Sequence, residues 1–234
     1  MNNEEKNLTN GAYALHRILK TDIKKVPSVE EDEIIFGCGC FWGAEKCFWK
    51  LPGVVTTSVG YAGGKKNNPT YYEVCSGLTG HSEVVRVVWD KSKIDVSDLL
   101  KMFWECHDPT QKNRQGNDIG SQYRSAIYFK NENNIKTILN SKGQYQKELN
   151  NKNLGLIETE IKMIGSYFYA EQYHQQYLAS AGSRQYCSAS PTKVKLGNFT
   201  GSKYKLKDYV WENFNWEVDK CVLRSDNNPI KNNI

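Results

Sequence analysis

Seven cysteines are the first places to look for chemistry: Cys38, Cys40, Cys47, Cys75, Cys106, Cys187 and Cys221. Cys40 stands out by its neighbours, in the stretch Gly37-Cys38-Gly39-Cys40-Phe41-Trp42-Gly43-Ala44-Glu45. An apolar run precedes this stretch and an amphipathic one follows. It reads as strand, tight turn and helix, with Cys40 in the first helical turn. A thiol there faces unpaired backbone N–H groups and the positive end of the helix dipole. Both favour the thiolate, which is the nucleophilic form. Phe41 and Trp42 point to an apolar pocket for a small uncharged group. A buried structural thiol is the better reading for Cys47, Cys75 and Cys106. Cys38 lies one strand period before Cys40; packing is favoured for it over pairing or metal binding. Cys187 and Cys221 lie in an irregular C-terminal stretch, where a flexible segment can carry one thiol to another.

Further polar candidates are spread along the chain. Tyr71 and Tyr123 can each offer a phenolic O–H. Glu83 opens an alternating run in which Glu83, Val85, Val87 and Trp89 share one face, with Arg86 marking the wetter one. A carboxyl group on an apolar face has its charged form disfavoured, so its pKa should rise. His81 and Asp118 read as loop and turn residues when taken alone. Metal binding finds little support. Cys38 and Cys40 could join His81 or His107, but no Cys-x-x-Cys pair exists and the histidines are far apart in sequence.

Several elements must position these groups. Ile34-Ile35-Phe36 is a buried strand, and Phe41, Ala44, Phe48 and Leu51 have helical spacing up to Pro52-Gly53. Val54–Tyr61 and Glu83–Trp89 are strands, joined by a long loop rich in Gly, Asn, Pro and Ser. Val96, Leu99, Leu100, Phe103 and Trp104 mark a core-facing helix, ended by His107-Asp108-Pro109. A polar loop, a strand over 122–129, a helix over 135–149 and a strand over 157–163 follow. Ala170–Leu178 reads as a short helix. The order strand, helix, strand, strand, helix, strand fits an α+β, split βαβ (ferredoxin-like) two-layer sandwich with a mainly antiparallel sheet. The division is an N-terminal extension over 1–32, a catalytic domain over 33–178 and a long irregular C-terminal tail over 179–234.

Composition narrows the class. The chain has 234 residues, 39% hydrophobic and 24% charged, with a net charge of +5, as expected of one globular domain with extensions. Its basic residues are scattered, so nucleic acid is not an expected partner. No apolar stretch approaches the ~20 residues that span a membrane, and the polar N-terminus does not read as a secretory signal. Thiols in a cytoplasmic protein, without a disulfide scaffold, are expected.

Taken together, the motifs resemble those of the class A peptide methionine sulfoxide reductases. Gly39-Cys40-Phe41-Trp42-Gly43 is similar to that family's catalytic motif. Gly60-Tyr61-Ala62-Gly63-Gly64, Asn68-Pro69-Thr70-Tyr71 and Glu73-Val74-Cys75-Ser76-Gly77 resemble its substrate-side loop. Thr79-Gly80-His81-Ser82-Glu83, His107-Asp108-Pro109, Arg114-Gln115-Gly116-Asn117-Asp118, Gln122-Tyr123-Arg124-Ser125 and Tyr173-His174-Gln175-Gln176-Tyr177 follow in order. The resemblance implies a repair enzyme without metal or cofactor. Cys40 would attack the sulfur of methionine S-sulfoxide, peptidyl or free, while Phe41 and Trp42 hold the S-methyl group. Glu83, Tyr71 and Tyr123 would bind and protonate the oxygen, and Asp118 would shape the site. The sulfenic acid on Cys40 would pass to a disulfide with Cys187, then to Cys221, and thioredoxin would reduce it. The flanks of Cys187 are Gln185-Tyr186 and Ser188, where many members carry glycine. Oxidised proteins and thioredoxin are the implied partners of a monomer. A thiol peroxidase would share the sulfenic acid but need neither the aromatic pocket nor Glu83. A module that binds oxidised peptides and signals through its tail thiols is the non-enzymatic alternative.

Overall fold

The computed structural model describes residues 15–218 and 221–231, the side chain of Cys221 excepted. Its centre is a six-stranded sheet in the order β7-β6-β1-β3-β2-β8. Strand β1 (Glu31–Cys38) pairs antiparallel with β3 (Ser82–Asp90) on one side and β6 (Ser125–Phe129) on the other. Strand β2 (Val54–Ala62) pairs antiparallel with β3 and with the short β8 (Tyr167–Tyr169). Only β7 (Glu160–Met163) runs parallel to its neighbour, β6. The sheet is mainly antiparallel and the fold mixed α/β.

Three helices cover one face. They are α1 (Phe41–Trp49), α3 (Val96–Glu105) and α4 (Ile135–Asn151). Alternation along the strands turns Ile34, Phe36 and Cys38 toward them, with Val85, Val87 and Trp89 of β3. Phe36 stacks on Phe48 at 4.8 Å and on Phe103 at 5.1 Å, joining α1 and α3 to the sheet through one ring. Helix α3 starts where a helix should: Asp95 accepts from Ser97 N–H, and Asp98 returns to the backbone of Asp95.

The opposite face is not wet. Arg86 is buried, and its guanidinium forms an ion pair of 2.5 Å with Glu33 and donates to the carbonyls of Ile23 and Lys25. Residues 15–32 lie over this face, with Ile23 and His16 fully buried and His16 bonded to Thr57 at 2.9 Å. The part of the N-terminal stretch that is described therefore packs on the sheet. It contains an isolated bridge between Leu15 and Asp22.

Local departures from the sequence pattern have identifiable causes. The long loop after β2 contains α2 (Tyr71–Cys75), held by a capping box in which Thr70 and Glu73 exchange bonds. The polar loop after α3 folds into the two-residue strands β4 (Arg114–Gln115) and β5 (Asp118–Ile119). Tyr123 sits on a 3₁₀ turn (Ser121–Tyr123), and β6 starts only at Ser125. The segment Ala170–Leu178 is not a helix: two 3₁₀ turns flank Gln176, whose φ of +47° interrupts any helix. Beyond it, residues 180–207 hold no regular element but pack by side chains and caps. Val194, Leu196, Phe199 and Leu206 are buried, and the amides of Lys205 and Leu206 donate to Asp98. Helices α5 (Asp208–Trp211) and α6 (Cys221–Arg224) end the described chain.

Candidate active site

Cys40 is the N-cap residue of α1, at the point where β1 turns into the helix. Gly39 makes the turn with a φ of +85°, and a side chain there would meet Gln115. The thiol is 8% exposed. Burial pushes its pKa well above the usual thiol value, the charge of Glu83 adds to this, and a bond from the Trp42 amide opposes both. The helix start does favour the thiolate, as its position implied. Desolvation outweighs it, so the resting group is a thiol rather than the thiolate the sequence predicts.

Glu83 is the second residue of β3, and its Oε2 accepts from the Phe41 amide at 3.1 Å. The carboxyl is buried, and desolvation raises its pKa to about 8, with Asp118 contributing in the same direction and the Phe41 amide against. A carboxylic acid, ready to donate a proton near neutral pH, thus stands beside the thiol. Tyr123 reaches the same place, its hydroxyl held protonated by burial and by the charges of Glu83 and Asp118. Tyr71, at the start of α2, is also held protonated, first by burial and then by its hydrogen bond to Cys75. Asp118 on β5 accepts from the Tyr186 hydroxyl at 2.5 Å.

The aromatic pair separates. Phe41 is buried against Tyr61 and His174, with ring centroids 6.1 Å and 5.1 Å away. Trp42 remains half-exposed, stacks on Tyr177 at 3.8 Å, and donates its Nε1–H to His174 Nδ1 at 3.0 Å. Cys187 returns from the C-terminal segment to lie over Gly43, one turn into α1. Any side chain at position 43 would collide with its sulfur. It is buried and close enough to interact electrostatically with Cys40. The side chain of Cys221 lies outside the described residues; Val222, next to it, lines the same small cavity as Cys187.

Three residues that sequence reasoning did not single out complete the surroundings. Glu171 accepts from the Tyr61 hydroxyl and the Tyr71 amide, both at 2.8 Å, and so joins β2 to α2. His174 has its pKa lowered to about 4 by burial and is neutral at pH 7. Its Nδ1 accepts from Trp42, so its Nε2 carries the proton, buried and with no hydrogen-bond partner. Tyr186 ties the segment carrying Cys187 to Asp118. The Tyr173–Tyr177 motif held the signal for His174, but its helical reading hid the side-chain directions.

For metal binding, tertiary structure supplies a group that spacing hid. The sulfurs of Cys38 and Cys106 and a ring nitrogen of His107 lie within 4.8 Å of one another. Cys40 is not part of it, and His81 is engaged elsewhere, with Lys66 and Gly64. Both His107 nitrogens are already bonded, to the Phe103 carbonyl at 2.7 Å and the Ser125 hydroxyl at 2.8 Å. The groups on offer are therefore the sulfurs.

A thiol at a helix start, a protonated carboxyl group beside it and a second thiol packed over the first turn of that helix are groups that suit thiol-based redox chemistry. Comparison with known proteins points the same way. The family described as peptide methionine sulfoxide reductase matches residues 32–207. The chain is 53% identical over 180 residues to peptide methionine sulfoxide reductase MsrA of Vibrio vulnificus, covering 77% of this chain and 86% of that one. It is 55% identical over 165 residues to the enzyme of the same name from Pseudomonas putida, covering 70% and 74%. Among solved structures it is similar to methionine sulfoxide reductase A of Corynebacterium diphtheriae, with a TM-score of 0.68, 42% identity, and coverage of 79% and 89%. The chain belongs to the peptide methionine sulfoxide reductase family.

Proposed function

We propose that the protein reduces methionine S-sulfoxide, in peptides and as the free amino acid, and that thioredoxin restores it. One observation carries the reading. Cys40 caps α1 while Glu83, with a pKa raised to about 8, is bonded to the very next amide. A sulfoxide sulfur placed against the thiol has its oxygen among protonated groups, those of Glu83, Tyr71 and Tyr123.

The steps balance. The Cys40 sulfur attacks the sulfoxide sulfur as Glu83 protonates the oxygen, with the tyrosine hydroxyls holding it. The sulfoxide S–O bond then breaks as its hydroxyl passes to the Cys40 sulfur, the bond between the two sulfurs breaks, methionine leaves as the sulfide, and Cys40 is left as sulfenic acid. Phe41 and Trp42 hold the S-methyl group, and Asp118 orients the site through Tyr186. The Cys187 thiol then condenses with the sulfenic acid, water leaves, and a Cys40–Cys187 disulfide remains. Cys221 accepts the disulfide from Cys187, and a thioredoxin dithiol reduces it. The position of Val222 in the cavity beside Cys187 supports that transfer.

The two-layer, split βαβ reading of the core rests on the run β1-α1-β2-β3-α3-β6 and on the neighbour order β6-β1-β3-β2. The irregular segment after residue 179 is read as the tail that brings the second thiol to the site. A monomer in the cytoplasm remains the reading on the sequence grounds above; among the described residues no helix is long and apolar enough to cross a membrane. Single-turnover release of methionine from methionine S-sulfoxide, with Cys40→Ser as control, tests the proposal. Equal release by both proteins, or none by the intact one, refutes it.

A further inference from the structure

Three cysteines unused by that mechanism are not scattered in the core. Cys38 ends β1, Cys47 lies on the inner face of α1 and Cys106 caps the end of α3. All are buried, and together with Cys187 they line one small cavity. Cys106 lies between the other two and interacts with both Cys38 and Cys47, while its S–H donates to the Phe103 carbonyl at 3.5 Å. The Cys38 and Cys106 sulfurs lie within 4.8 Å of one another. Cys187 interacts electrostatically with both Cys40 and Cys106, so it lies between the outer and the inner thiols.

We propose that Cys38 and Cys106 form a second redox pair, which takes the disulfide from Cys40 and Cys187 and lets one chain reduce two sulfoxides before it meets an external reductant. The inference rests on the reductase reading above. Cys106 is the inner thiol that interacts with Cys187 and is therefore the attacking sulfur. It bonds to the Cys187 sulfur, and Cys40 leaves, taking the proton that Cys106 gives up. Cys38 then attacks Cys106, and Cys187 leaves with the proton of Cys38. Cys40 and Cys187 are thiols again, and the two electrons have come from Cys38 and Cys106, now a disulfide. No further oxidant or reductant enters. A second sulfoxide then meets a competent Cys40.

The stoichiometry of methionine release tests this directly. The transfer to Cys221 would also liberate Cys40, so the protein used is the Cys221→Ser variant of the full chain. It is reduced, freed of reductant, mixed with excess methionine S-sulfoxide, quenched in acid, alkylated and mapped by mass spectrometry. The expected result is two methionines per chain, with Cys38–Cys106 and Cys40–Cys187 links. Adding Cys106→Ser should halve the yield to one. One methionine per chain from Cys221→Ser, with only the Cys40–Cys187 link, overturns the proposal and leaves the reductase reading standing. A second link that joins Cys47 to Cys106 overturns the choice of Cys38. No methionine at all refutes the reductase reading itself. The mapping arm leaves the cluster intact, so its outcome does not depend on how a core substitution folds.

Discussion

Replacing Glu83 by Gln separates the proton from the shape of the site. Gln keeps an acceptor for the Phe41 amide, which Glu83 Oε2 holds at 3.1 Å, but it has no acidic proton. Two consequences follow from a pKa raised from 4.5 to about 8. The first is stability. The folded carboxyl binds its proton more tightly than the unfolded one, so unfolding releases a proton between those values. Stability from this group is fully present below about pH 4.5 and is lost as pH rises through about 8. The loss is roughly 1.4 kcal/mol per pH unit within that window, and about 3 kcal/mol between pH 6 and pH 9. The group is buried, so solvent screening does not reduce the figure. Urea unfolding of both proteins at pH 6 and pH 9 should show the variant gaining about 3 kcal/mol on the wild type across that range.

The second consequence is kinetic. Attack needs a Cys40 thiolate together with a Glu83 acid, and this state carries one proton fewer than the resting pair. It has the same proton count as thiol plus carboxylate, so the two forms titrate together. The single-turnover rate of the wild type should rise up to tenfold per pH unit to about pH 8, where Glu83 titrates, and then level off. In Glu83→Gln only the thiol titrates, and burial keeps its pKa high. The variant's rate should be ~10²- to 10⁴-fold lower at pH 8, the usual contribution of a positioned acid, and should keep climbing above that pH. A variant within threefold of the wild type, or stability curves that run parallel from pH 6 to pH 9, refutes the assignment.

Other substitutions test other joints. Cys187→Ser should release the first methionine at the wild-type rate and leave Cys40 as sulfenic acid, detected as a dimedone adduct by mass spectrometry. Gly43→Ala puts a methyl group where the Cys187 sulfur lies. It should leave methionine release nearly intact but slow disulfide formation about tenfold, the size expected from ~1–3 kcal/mol of overpacking; timed thiol titration measures it. Arg86→Met removes a 2.5 Å partner of half-buried Glu33, leaving it Lys130 alone, and the donors to the Ile23 and Lys25 carbonyls. It should cost about 3 kcal/mol in urea unfolding, because a half-buried carboxylate and two backbone carbonyls lose their partner together.

Much of this was legible in the chain itself. The strand and helix around Cys40 follow from period-2 and period-3.6 patterns that tertiary packing reinforces, so β1, α1, β2, β3 and α3 fall close to where the pattern puts them. The raised pKa of Glu83 was readable because alternation along β3 puts it on the same face as Val85, Val87 and Trp89. Turn-rich segments were less legible. Ala170–Leu178 carries aromatic residues at helical spacing, yet the left-handed Gln176 and its bonds to Glu45 override the pattern. The hydrophobic pattern did not find the Thr70–Glu73 capping box, although that signal was present.

Tertiary structure alone decided three things. It decided that Arg86 is buried, because residues 15–32 fold back over a face that strand alternation leaves open. It decided the protonation of Cys40, because the balance between a helix start and burial depends on what covers the thiol, and no local pattern reports that. It also joined Cys38, Cys106 and Cys187, far apart in sequence, around one cavity. The sequence by itself determined which cysteine begins a helix beside an acid. Which thiols can reach one another depends on the packing of α1, α3 and the C-terminal segment, since covalent and redox contact is a matter of a few ångströms.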